Sequence, residues 1–191
     1  ADISGLVNKG VNRLNVEWDF KDGMQIEEMY VFGDFGVDSQ QRIISEPESL
    51  AAGDYCTQGY PFYSGSMKYV QEAAVEKNED ESYVLRLNGY KGVTAIVRVN
   101  GKTAAHLGWP PFSADITSYV KDGSNRIEIE VVGSPRNLLG PNHYAERFPA
   151  WTGPGQFKTH GNLFKEEYVL APHGLNSGVS IVASGNPAVH S

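Results

Sequence analysis

Two kinds of side chain would let this chain hold a neutral, hydroxyl-rich ligand, and one stretch carries both. Arg136, Asn137, Asn142, His143, Tyr144, Arg147 and Trp151 fall within sixteen residues. A flat aromatic ring can lie against the C–H face of a pyranose, while Arg, Asn and His meet its hydroxyls. Trp109, beside Pro110-Pro111, is a further candidate platform. A packing reading stands beside each. Trp151 and Phe148 could plug one end of a β domain, Arg136 could brace a long loop through backbone hydrogen bonds, and Trp109 could pack against neighbouring strands. Tyr60, Phe62 and Tyr63 read as anchors of an entry segment, and Trp18 as core or domain interface.

Catalytic chemistry has less support. Glycoside hydrolysis needs two carboxylates flanking the bond, and with 23 acidic residues some pair is inevitable. Only Glu146, inside the same stretch, merits a test. No G-x-S-x-G elbow is present, and Cys56 has no surrounding motif. His106, His143, His160, His173 and His190 are dispersed, without the spacing of a zinc site. One cysteine forms no intrachain disulfide and leaves the redox compartment open. A net charge of -7 argues against nucleic acid and anionic membranes as partners. No apolar run is long enough for a membrane helix, and the first residues lack a signal-peptide core, so any such signal is expected upstream.

The elements that must position these residues are strands. Twenty-one glycines and ten prolines in 191 residues, with short alternating segments and no sustained helical period, predict an all-β fold with little helix. The clearest unit runs from Val97 to Val132. Val93, Ala95, Val97 and Val99 alternate inward, as do Ile127, Ile129 and Val131. Asn100-Gly101 predicts a tight hairpin between Val99 and Lys102. Asp115 to Val120 reads as one helical turn capped by the Asp115 carboxylate, and Gly123 releases the next strand. Further strands are predicted over 10–20, 25–32, 66–74, 83–87, 166–170 and 179–182. The acidic 76–81 run reads as a loop tip, and 45–65 as a connection.

An internal repeat complicates the domain boundaries. Ala1 to Glu17 aligns without a gap on Ala114 to Glu130 with eight of seventeen positions identical. Glu28 to Val37 then aligns on Glu166 to Leu175, where the offset has grown from 113 to 138. The second copy therefore holds about 25 extra residues, the aromatic insertion after Gly133. Residues 1–50 then end a preceding sandwich or complete the following one, and 51–191 form the main module.

VNGK followed by PPFSADITSYVKDGSNRIEIEV resembles the sugar-binding jelly-roll domain of family 2 glycoside hydrolases and related galactose-binding-like domains. GDYCTQGYPFYSGSMKY and GSPRNLLGPNHY are similar to accessory β-sandwich modules of large bacterial polysaccharide-degrading enzymes, including rhamnosidase-like ones. The resemblance covers most of Gly53 to Val182. It implies a jelly-roll β-sandwich that is often non-catalytic, secreted or periplasmic, with a glycan and a catalytic module of the same polypeptide as partners. It also implies that a structural calcium is an open alternative, for which Asp54, Asp80 and Glu81 are the available donors. The resulting expectation is a non-catalytic carbohydrate-binding module. Its ligand contacts would come from Trp151, Tyr144, His143, Asn142, Arg136, Arg147 and Trp109. A bracing module that binds no sugar, and a catalytic fragment, are the alternatives.

Overall fold

Alternation along the chain decides which side chains meet. The structure is a computed structural model that describes residues 1–24 and 29–185, and it divides into two units, Ala1–Gly33 and Asp34–Ser191. In the second unit the strands are β1 (Phe35–Val37), β2 (Ile43–Ser45), β3 (Ser66–Val75), β4 (Glu81–Leu87), β5 (Tyr90–Lys91) and β6 (Thr94–Val99). They continue as β7 (Lys102–Leu107), β8 (Ser113–Asp115), β9 (Gly123–Val132), β10 (Gly174–Leu175) and β11 (Val179–Gly185). One sheet has the order β3-β9-β6-β7 and another β11-β4-β8, while β1-β2 and β10-β5 are two-stranded ribbons. This is an all-β sandwich, as the alternation requires.

Its core comes from both larger sheets. Tyr83, Leu85 and Leu87 of β4 pack with Ala95, Val97 and Val99 of β6 and Ile127, Ile129 and Val131 of β9, all buried. Each fully buried Val, Leu or Ile contributes about 2 kcal/mol of transfer free energy. A one-residue slip of β9 would turn its apolar face outward and bury Glu128 and Glu130, so the pattern itself enforces register. On the outer face Arg98 bridges those two acids, at 3.1 Å to Glu128 and 2.6 Å to Glu130.

The hairpin between β6 and β7 forms where Asn100-Gly101 predicts it. Both residues have positive φ, 52° and 80°, and Val99 faces Lys102. After β8 the chain makes a single turn, with Val120 N–H donating to Ile116 O at 3.1 Å. Asp115 Oδ1 accepts from Thr117 N–H at 2.9 Å, so the expected carboxylate cap is present. Asn125 is fully buried and accepts from Lys121 N–H and Asn100 Nδ2, each at 2.8 Å.

Several expectations need correction. Val93 is exposed, because the sheet begins one residue later and its side chain falls outside the facing layer. Residues 166–170 form no strand; their backbone bonds go to the insertion instead, as Val169 N–H donates to Asn142 O at 2.7 Å. Residues 10–20 form no strand and, after a bend at Gly10, no other regular structure, and their side chains are exposed. Of the strand expected over 25–32, residues 25–28 lie outside the described residues and 29–32 are not strand. The ribbon β1-β2, the short β8 and the β5-β10 pair carry too few alternating residues to announce themselves.

Candidate functional site

The insertion leaves β9 at Gly133, whose N–H donates to Gly65 O at 3.0 Å. A Cβ at this glycine would collide with that carbonyl and with the Tyr55 hydroxyl, so the close approach requires glycine here. A four-residue helical turn, α1 (Arg136–Leu139), comes next. It carries Asn137, buried to 1% exposure, into the middle of three segments. Asn137 Nδ2 donates to Pro61 O at 3.0 Å and Ala171 O at 2.8 Å, while Oδ1 accepts from Ala171 N–H at 2.8 Å. A buried amide satisfied from both ends fixes the base of the insertion.

Arg136 tightens the same base. Its Nη2 donates to Pro141 O at 3.0 Å and Arg147 O at 3.3 Å, and its Nη1 to Asn142 Oδ1 at 3.3 Å. Asn142 Nδ2 donates in turn to Asn137 O at 2.8 Å. Tyr144 is buried and bridges Phe164, and Ala145 N–H donates to Leu163 O at 2.9 Å. The His143 ring stacks on Phe164 at 5.6 Å and tilts against Tyr168 at 4.9 Å, with Nδ1 2.8 Å from Lys165 O. Residues 142–145 and 163–169 thus form a paired stem.

The stem holds up an exposed tip. Phe148 is 69% exposed, Trp151 66% and Phe157 50%. Trp151 lies directly over Gly153, where any side chain would collide with the indole ring. The six-membered ring of the indole sits close against Gly153 while most of the side chain meets solvent. Trp109 is 81% exposed on the separate loop between β7 and β8.

The seven candidates therefore split. The structure brings Arg136, Asn142 and the Arg147 backbone together as bracing, and it places His143 and Tyr144 in the stem. Their polar atoms serve the loop, and the buried Tyr144 ring offers no stacking face. The Arg147 side chain, Trp151 and Trp109 are exposed. Two cavities of about 740 and 700 Å³ are lined by other residues, the first including Glu46, Tyr60, Lys68 and Tyr69, the second Asp38, Cys56, Phe62 and Tyr168.

Under the stem lies a cluster that sequence spacing did not reveal. Cys56 Sγ accepts from Asn137 Nδ2 at 3.3 Å and lies 4.0 Å from His173 Nδ1. His173 Nδ1 is 3.0 Å from Ala171 O, and Nε2 is 2.9 Å from Ser134 Oγ. With Nδ1–H donating to the carbonyl, Nε2 is left to accept from the Ser134 hydroxyl. These residue types suggest nucleophilic chemistry, but the environment opposes it. Burial pushes the Cys56 thiol up to about 12, which keeps it protonated and unreactive. His173 is 4% exposed and stacked on Tyr55 at 5.7 Å. The cluster clasps residues 54–56, 134–137 and 171–173 together. The partners that join these three segments lie 34 to 119 positions apart and share no local pattern, so nothing in the spacing could have found them.

Asp54, one of the conceivable calcium donors, accepts from Cys56 N–H and His173 N–H, each at 3.0 Å. Glu81 accepts from the Tyr83 hydroxyl at 3.0 Å. Among the described residues no three His, Cys, Asp or Glu side chains are grouped as a metal would need. No helix of the described residues is long and apolar enough to cross a membrane.

No protein-family model and no curated protein match the chain. Among solved structures it is similar to a rhamnosidase from Novosphingobium sp. PP1Y, at 24% identity and a TM-score of 0.49, covering 80% of this chain and 14% of that one. It is similar to a Bifidobacterium dentium β-glucuronidase complexed with coumarin-3-O-glucuronide, at 22% identity, TM-score 0.47, 73% of this chain and 26% of that one. A glycosyl hydrolase family 2 member from Bacteroides cellulosilyticus matches at 17% identity, TM-score 0.42, 77% and 17%. The chain spans about a quarter or less of the length of each of these proteins.

Proposed function

We propose that this chain is a non-catalytic carbohydrate-binding module of a multi-modular glycoside hydrolase, exported to the periplasm or cell exterior. The observation that carries the reading is the exposed Trp151, supported over Gly153 on a tip whose base is locked by buried hydrogen bonds. An exposed indole held in place loses little conformational freedom when a sugar ring stacks on it. The net charge of -7 suits a neutral glycan better than a polyanion. Binding would raise the effective concentration of substrate near a tethered catalytic module without accelerating bond cleavage. The glycan and that catalytic module are the proposed partners.

Trp151→Ala is expected to abolish retention in affinity electrophoresis through neutral polysaccharides while leaving the thermal melt within about 1 °C, as for an exposed surface substitution. Undiminished retention, or a mutant that unfolds, overturns this site. The bracing alternative draws on Arg136, Asn142 and Tyr144, which are committed to the loop. It expects no retention of the unmodified chain on any polysaccharide. A catalytic fragment expects turnover that disappears with Glu146→Gln.

A further inference from the structure

The turn between β8 and β9 is held by short-range bonds that recur, position for position, at the start of the chain. Thr117 N–H donates to Asp115 Oδ1 at 2.9 Å, and Ser4 N–H donates to Asp2 Oδ1 at 2.9 Å. Tyr119 N–H donates to Ile116 O at 2.9 Å, as Leu6 N–H does to Ile3 O at 2.9 Å. Lys121 N–H donates to Asn125 Oδ1 at 2.8 Å, and Asn8 N–H donates to Asn12 Oδ1 at 2.8 Å. Asn125 Nδ2 donates to Lys121 O at 2.8 Å and Gly123 O at 3.0 Å, while Asn12 Nδ2 donates to Asn8 O at 2.8 Å and Gly10 O at 3.1 Å. Gly123 and Gly10 both have positive φ, 84° and 109°. The sequence repeat is thus a structural repeat.

Beyond the turn the two copies diverge. After Gly123 the chain becomes β9, paired along one edge with β3 and along the other with β6. After Gly10 it forms no paired strand among the described residues. The positions aligned with buried Ile127, Ile129 and Val131 are Leu14, Val16 and Trp18, which are 59%, 46% and 48% exposed. A segment with the alternating apolar pattern of a central strand and no paired neighbour among the described residues can take up strands on both sides. The outer face carries a second clue. Glu17 aligns with Glu130, whose carboxylate takes Arg98 of β6 at 2.6 Å.

We propose that residues 1–20 are the closing turn and a central strand of a second sandwich, completed by two antiparallel strands from the polypeptide N-terminal to Ala1. These are the counterparts of β3 and β6, and the β6 counterpart carries a basic residue that faces Glu17. Strand order supplies the direction: both strands that flank β9 precede it in the chain, so the strands that flank residues 11–19 precede them too. The match of 28–37 with 166–175 does not extend the structural repeat, because β1 pairs with β2 whereas β10 pairs with β5.

Amide hydrogen exchange tests this on the 191-residue chain and on the polypeptide carrying its N-terminal continuation of about 120 residues, the length of one such domain. In the longer polypeptide the amides of residues 11–19 are expected to exchange at least about 100-fold more slowly than in the 191-residue chain. Asn12→Ala should restore fast exchange there, with Asn12→Asp, which keeps the acceptor, intermediate. Three results overturn the proposal. Fast exchange in both forms means that no strands are added. Protection already present and independent of concentration in the 191-residue chain means that this sandwich itself takes up the strand. Protection that rises with concentration means that a second copy fills the edges.

Discussion

The same turn occurs twice in this chain, and among the described residues only one copy leads into a sheet. Residues 114–132 and 1–19 share their carboxylate cap, their asparagine clasp and their positive-φ glycine. Yet Ile129 is 1% exposed and its counterpart Val16 is 46% exposed. The turn closes through bonds between residues at most four apart, so its own sequence suffices. A strand closes nothing by itself, since its N–H and C=O groups point sideways to chains that must come from elsewhere. Matching turns therefore say little about matching burial.

The largest test of that contrast is in the core. Ile129→Ala should lower the unfolding free energy of the 191-residue chain by about 3 to 4 kcal/mol through lost transfer and a residual cavity. Val16→Ala should change it by less than about 0.5 kcal/mol. Chemical denaturation followed by circular dichroism reads both, and equal losses would erase the distinction between the copies.

A smaller difference is expected at the clasp. Asn125→Ala strands the Lys121 N–H and carbonyl and the Asn100 amide, at about 2 to 3 kcal/mol. Asn12→Ala in the same chain leaves its partners to water and should cost under about 0.5 kcal/mol.

The smallest difference lies in the acid limb. The Thr117 hydroxyl and N–H hold the Asp115 carboxyl below its usual range, and the Ser4 N–H does the same for Asp2. A depressed folded value means that the contribution of Asp115 is complete above the unfolded carboxyl pKa of about 3.9 and is lost as pH falls through the folded value. Asp115→Asn should therefore flatten slightly the fall in stability below about pH 4, measured by urea unfolding at stepped pH. Asp2→Asn should leave that limb unchanged, because its turn lies outside the sandwich that unfolds.

The candidate site was legible as a region more than as a set of contacts. The growth of the repeat offset marks its boundaries, and the structure leaves Trp151 66% exposed at its tip. Residue type and spacing offer Arg136, Asn142, His143 and Tyr144 as ligand contacts and Arg136 equally as a loop brace, and type does not distinguish an arginine facing a sugar from one donating to three acceptors of its own loop. Trp109 reads both as a platform and, beside Pro110 and Pro111, as a packing residue, and its 81% exposure sets the packing reading aside.

By itself, the sequence determined what depends on nearest neighbours and on period. That includes the all-β class, the Asn100-Gly101 hairpin, the inward faces of β6 and β9, and both copies of the capped turn. Only the tertiary structure decided which extended segments became strands and which polar side chains were spent on scaffold. It joined Cys56, Asn137 and His173 into one clasp and, among the described residues, gave 11–19 no strand partner. The physical reason is common to both. Burial and strand pairing are set by partners distant along the chain, and a side chain's chemical type carries no record of who those partners are.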